Sequence, residues 1–226
     1  MAPTTRTSTD MEFMNRLFHT ALRRDLARTL DALMATEHRT PRQRRALAEH
    51  LRLVLDLLHH HHTGEDEGLW PLVRRRAPDL AAQLDMMEAE HAAVAGAMAS
   101  ARAAATRYSS DPTSVGEDLL TAVRTLQDTL LPHLEHEETE VMPRVMRALS
   151  RQDWSALARR ELRKSGSFAL AGTGLLWTTD GLDPKRRAQF DRQVPALFRW
   201  LVDKRYGRAY RRRTALAFDT AAGSRR

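Results

Sequence analysis

The sequence predicts an all-α chain: an up-down four-helix bundle over residues 1–150, with an additional helical region over 151–226. Three observations predict it. Apolar residues recur at three- and four-residue spacing over long stretches. Capping residues and prolines divide those stretches. The composition changes near residue 150, since all ten histidines fall at or before His136 while nine of the thirteen aromatics lie beyond it.

The first helix opens on a capping box, Thr9 with Glu12, and carries Met14, Leu17, Phe18, Ala21, Leu22, Leu26, Leu30 and Leu33 to about Ala35. Thr40-Pro41 offers an N-cap followed by a proline at the first helical position, and Leu47, Leu51, Val54, Leu57 and Leu58 carry the second helix towards Pro71. Asp79 opens the third, through Leu84, Met87, His91, Val94 and Met98 to about Tyr108. Asp111-Pro112 leads into the fourth, with Leu119, Val123, Leu126 and Leu130, and Pro143 follows. Four long amphipathic helices with short connections most simply make an up-down bundle. Ser150 to Asp153 caps a fifth helix, residues 165–184 form a glycine-rich apolar connection that packs on something, and Asp183-Pro184 restarts a helix that Pro195 kinks or divides. From about Gly207 the chain reads as a basic, frayed tail.

Composition removes several function classes. With no cysteine, thiolate zinc sites, cysteine-held clusters and cysteine nucleophiles are excluded, so any metal is held by nitrogen and oxygen. No stretch reaches the roughly 18 apolar residues of a membrane span, and the N-terminus lacks a signal peptide's apolar segment, so a cytoplasmic protein without a membrane partner is expected. The net charge of +7 is unevenly spread: residues 1–150 hold 18 Lys/Arg against 22 Asp/Glu, and residues 151–226 hold 18 against 7.

The chemistry lies in an internal repeat. His61, Glu65 and Pro71 recur as His133, Glu137 and Pro143 at an offset of 72, and His19 recurs as His91 at the same offset, giving two related helical hairpins. A histidine and a glutamate four apart share one helix face, and His61 and His133 continue the apolar rows of their helices. Carboxylates facing a core without partners are costly, which a shared cation relieves. Imidazole and carboxylate donors suit iron, with manganese and zinc as chemical competitors, and two pairs related by a pseudo-twofold suit a dinuclear site.

The segments HHHHTGEDEGLWP and HLEHEETEVMP, with FHTALRRDL around His19 and EAEHAAV around His91, resemble the hemerythrin family and its HHE cation-binding domains across residues 10–149. The resemblance implies an oxo- or hydroxo-bridged non-haem diiron centre that binds dioxygen, peroxide or nitric oxide, with His19, His61, Glu65, His91, His133 and Glu137 as ligands. His62, Glu138, Glu90 and Tyr108 are reserves. Where oxygen-carrying hemerythrins have a second histidine one turn before the equivalent of His91, this chain has Met87. That departure disfavours reversible oxygen carriage and favours redox turnover, with peroxide decomposition the leading expectation. A diiron oxygenase acting on a small organic substrate, and a redox or nitric oxide sensor or iron store without turnover, stand as alternatives.

Among the remaining polar groups, His59, His60 and His62 leave the His61 row, His38 and His50 have no acidic partner in register, His136 falls outside the ligand set, and Arg23, Arg24 and Asp25 read as a solvated face. Leu69, Trp70, Val141 and Met142 read as core closing the bundle end. The basic C-terminal region is expected to cover the bundle, with nucleic acid as the weaker reading because no recognition motif accompanies the charge.

Overall fold

The computed structural model describes residues 8–35, 39–111, 116–164 and 168–218, and among them every regular element is helical. Four long helices form the bundle: α1 (Ser8–Met34), α2 (Pro41–Gly64), α4 (Ala81–Ser110) and α5 (Gly116–His136), with short α3 (Trp70–Arg76) and α6 (Met142–Ala148) extending α2 and α5. Helix α4 packs on α2 and α5, and α1 packs on α5 and α2. The core is the predicted apolar faces, including Leu22, Leu26, Leu47, Leu51, Leu58, Val94, Leu119, Leu126 and Leu130.

Local chemistry explains the ends. Thr40 accepts from the Gln43 amide and Gln43 returns a bond to Thr40, a complete capping box at the start of α2. Ser150 and Asp153 make the same reciprocal pair at α7 (Arg151–Lys164). Helix α1 already runs at Ser8, and the Thr9 side chain, His38 and Pro112 lie outside the described residues.

The second and fourth helices do not end where the prolines suggested. Each passes through one π turn, Glu65–Leu69 and Glu137–Val141, in which the Trp70 amide bonds the Glu65 carbonyl and the Met142 amide bonds the Glu137 carbonyl. Pro71 and Pro143 follow at once. A proline lacks an amide donor and its ring crowds the carbonyl four residues back, and the wider turn accommodates both. The turns are offset by 72 residues, like the motifs they carry.

Residues 168–178, expected as an irregular connection, form a helix, α8 (Phe168–Thr178). Its glycines allow close approach: a Cβ on Gly174 would sit 2.8 Å from Leu57 Cδ2, and one on Gly172 would sit 3.0 Å from the Tyr206 ring. Pro195 divides α9 (Pro184–Gln193) from α10 (Ala196–Val202). The expected frayed tail is instead helix α11 (Arg208–Phe218), packed along α2. Tyr210 and Ala217 bury one of its faces, and Arg39 Nη1 donates to the Ala217 carbonyl at 2.7 Å.

The Asp25 carboxylate ties these C-terminal helices to the bundle. Read from the sequence as solvated, Asp25 is 1 % exposed. It accepts from His50 Nε2 at 2.8 Å, Trp177 Nε1 at 2.6 Å and Arg24 Nε at 2.8 Å, so His50 has its acidic partner on another helix. Arg24 also donates to the Trp177 and Asp180 carbonyls. Burial raises the cost of the Asp25 charge, but the bonds from His50 and Arg24 outweigh it and hold the carboxyl well below the usual carboxylate range.

Candidate metal centre

The π turns place Glu65 and Glu137 at the bundle axis, 6 % and 0 % exposed. Two groups of donors converge on them. His62, His91 and His133 lie with ligand atoms within 4.8 Å of one another, and so do His19, His61 and Glu137. Glu65 spans the groups, with Oε1 3.4 Å from His61 Nε2 and Oε2 3.6 Å from His91 Nε2. Glu137 Oε2 also spans them, 3.3 Å from His19 Nε2 and 3.9 Å from His133 Nε2.

All six residues singled out by the repeat are therefore brought together, and His62 joins them. Its ring stacks on His91 at 4.0 Å, nearly parallel. Residues i and i+1 on a helix are rotated about 100° apart, so adjacent histidines on one corner of a bundle face different neighbours. His61 turns to His19 on α1, and His62 turns to His91 on α4. Met87 lies in the apolar cluster with Leu69, Trp70, Leu84, Val141 and Met142 that closes this end of the bundle.

The other reserves lie elsewhere. Glu138 bonds His19 Nδ1 at 2.7 Å, and Glu90 bonds His133 Nδ1 at 3.0 Å and His136 Nδ1 at 2.8 Å. These carboxylates hold the outward ring nitrogens, which fixes ring orientation and leaves Nε2 to point inward. Tyr108 lies nearly five turns beyond His91, roughly 25 Å along α4, with the Arg44 guanidinium 4.3 Å over its ring. His59 and His60 are exposed.

Sequence reasoning missed three supports. Asp66 bonds His91 Nδ1 at 2.7 Å, and Asp66 and Glu138 are themselves 72 apart, so the second acid of each motif holds the opposite histidine of the repeat. That signal was present in the repeated acid pair. Asn15 Nδ2 donates to Glu137 Oε1 at 2.9 Å, and Arg23 Nη1 donates to Glu138 at 2.7 Å. No one-helix pattern marks these two, because their partners lie more than a hundred residues away.

The electrostatics of the donor set suit a cation. Burial, with the neighbouring Glu137 charge, pushes the Glu65 carboxyl well above the usual carboxylate range. Burial and the other site histidines hold His61 and His62 well below the ordinary value, and burial lowers His133. Outside the donor set the reverse holds: burial opposes it, but bonds from His19 and Arg23 hold Glu138 down to about 2. Five buried atoms, Nε2 of His62, His91 and His133 and Oε2 of Glu65 and Glu137, have no hydrogen-bond partner. Lone pairs buried without donors cost about 1–3 kcal/mol each, and metal cations satisfy imidazole nitrogens and carboxylate oxygens together.

Searches of curated proteins and of solved structures returned no match. The sequence model of the hemerythrin HHE cation binding domain matches residues 15–145, more than half of the chain and every donor described above. Buried groups of histidine and glutamate able to hold metal cations lie within the matched residues, and the chain belongs to the hemerythrin HHE cation-binding family.

Proposed function

We propose that the centre holds two iron ions and reacts with dioxygen, hydrogen peroxide or nitric oxide, with peroxide decomposition as its principal activity. The observation that carries this reading is the convergence of three unpartnered buried histidine nitrogens with the unpartnered Oε2 atoms of two carboxylates that span both histidine groups. With Glu65 and Glu137 within reach of both groups, His19 and His61 would hold one ion and His62, His91 and His133 the other. Such a pair supplies reversible electron transfer and an open position for a small ligand.

The chain's own residues shape what reaches that position. The His19 and His61 side offers two nitrogens where the other side offers three, so a small ligand would bind on that side. His61 is the most open of the donors, with 15 % of its side chain exposed, whereas His19 and Glu137 are closed. The Phe18 ring lies 4.5 Å from His61, and Trp177 meets Phe18 edge-on at 5.1 Å, so aromatic rings wall His61 here. Asn15 keeps Glu137 Oε1 engaged and presents Oε2 inward.

The test is to follow oxygen release from hydrogen peroxide by the iron-loaded protein, alongside His61→Ala combined with Glu137→Ala. Oxygen release that vanishes with iron in the double variant is expected. Two retained irons in that variant would overturn the assignment, and iron-loaded protein inert to peroxide would overturn the activity.

A further inference from the structure

A strongly charged concave surface lies away from the metal centre. A groove of about 640 Å³ runs between the start of α2 and the span from α10 to α11. Arg42 and Arg45 form one wall, Lys204, Arg208 and Arg212 the other, and Glu49 is the one carboxylate in the lining. None of these five cations makes an ion pair among the described residues. Arg213, also in the lining, has Nε and Nη2 buried without a partner.

This arrangement carries an electrostatic cost within the chain. Arg42 and Arg45 occupy the first turns of α2, which contain no acidic residue, so they add positive charge at the positive end of the helix dipole. Lys204, Arg208 and Arg212, four apart, face them from the other side. Like charges gathered in a concavity are relieved by a polyanion whose negative groups are spaced along a surface.

An apolar ridge adjoins the groove. Leu197, Trp200 and Leu201, at i, i+3 and i+4 of α10, are 69 %, 54 % and 45 % exposed. Lys204 Nζ stands 4.8 Å over the Trp200 ring, joining the ridge to the wall of the groove. A nucleic acid backbone offers leucines nothing, and a second copy of the chain would bring two cationic grooves together. A phospholipid surface satisfies both features, since tryptophan and leucine enter the headgroup boundary while arginines and lysines meet phosphates.

We infer that the α10–α11 face binds anionic phospholipid surfaces, with the groove taking headgroup phosphates and the Leu197–Trp200–Leu201 ridge entering the acyl boundary. No helix among the described residues is long and apolar enough to cross a membrane, and a surface-bound mode requires none. The expectation of no membrane partner rested on the absence of a span and of a signal segment, neither of which bears on binding at a membrane surface.

The test is co-flotation of the full chain with vesicles of phosphatidylcholine alone, or of equal parts phosphatidylcholine and phosphatidylglycerol, at low and high salt, with a duplex DNA gel shift in parallel. Salt-sensitive binding to the anionic vesicles only is expected. Arg208→Gln with Arg212→Gln should weaken it roughly twenty-five-fold, at about fivefold per charge. Trp200→Ala should weaken it about tenfold by removing the apolar anchor. Circular dichroism and thermal unfolding confirm that each variant is folded. Failure to bind anionic vesicles, equal binding to both vesicle types, indifference to Trp200→Ala in a folded protein, or binding to DNA in place of vesicles would overturn the inference.

Discussion

The two hairpins match in the histidines, acidic pair and proline of the motif and differ around them. His19, His61, Glu65, Asp66 and Pro71 correspond to His91, His133, Glu137, Glu138 and Pro143, and both sets carry a π turn. The counterpart of Asn15 is Met87, of Phe18 is Glu90, and of His62 is Leu134. Each difference has a structural consequence. Asn15 tethers Glu137, whereas Met87 packs in the apolar end. Phe18 covers His61 with a ring, whereas Glu90 holds His133 by its outer nitrogen. His62 adds a nitrogen beside His91 and His133, whereas Leu134 is core. The exterior differs too: Asp25 and His50, which dock Trp177, correspond to Ala97 and Ala122. The lesson is that duplication supplies a symmetric donor frame, and a few substitutions around it make the two halves chemically distinct.

The comparison can be broken outright by Glu137→Ala. A carboxylate shared by both histidine groups is lost, and metal analysis should find the bound ions gone from both. His62→Leu copies the other hairpin and removes one nitrogen from the richer side; metal content should fall from two ions per chain towards one, and unchanged content would show that His62 does not ligate. Asp25→Asn removes a buried charge from three donors and should cost about 3 kcal/mol in denaturant unfolding, with far-ultraviolet helicity retained. Asn15→Met copies the second hairpin and should lower metal affinity about tenfold in competition with a chelator, the lower end for a residue that orients a ligand.

Acid should dismantle the regions in order in the metal-free protein. His61, His62 and His133 have lowered values when folded, so the stability linked to their neutral forms is present above the ordinary 6.5 and is lost as pH falls below it. Asp25, also lowered, contributes above its ordinary 3.8, and that contribution goes only as pH falls through its folded value. Thermal unfolding across this range should show falling stability first while near-ultraviolet signal from Trp177 persists, and loss of the two together would contradict the ordering.

Much of the fold was legible because its signals are local. Helical periodicity, the Thr40 and Ser150 caps and the matched spacing of His19, His61, His91 and His133 require no knowledge of what lies across the bundle. Pro71 and Pro143 misled, because a proline reads as a helix end unless a widened turn precedes it. His62 stood only as a reserve because it departs from the face of His61, and its neighbours His91 and His133 lie on other helices. Asp25 was unreadable in principle: His50 and Trp177 lie 25 and 152 residues away. The same distance hid Asn15. Residues 208–218 read as a tail because arginines dominate them, although Tyr210, Thr214, Ala217 and Phe218 follow helical spacing.

The central claim is that one duplicated motif, completed by His62, builds a two-metal centre. Elemental analysis with Mössbauer spectroscopy, on protein produced with labelled iron and purified without added metal, tests it most directly. Two irons per chain in two distinguishable environments are expected, because one side has three nitrogens and the other two. A single iron, two indistinguishable irons, or a preparation filled with another metal would contradict it.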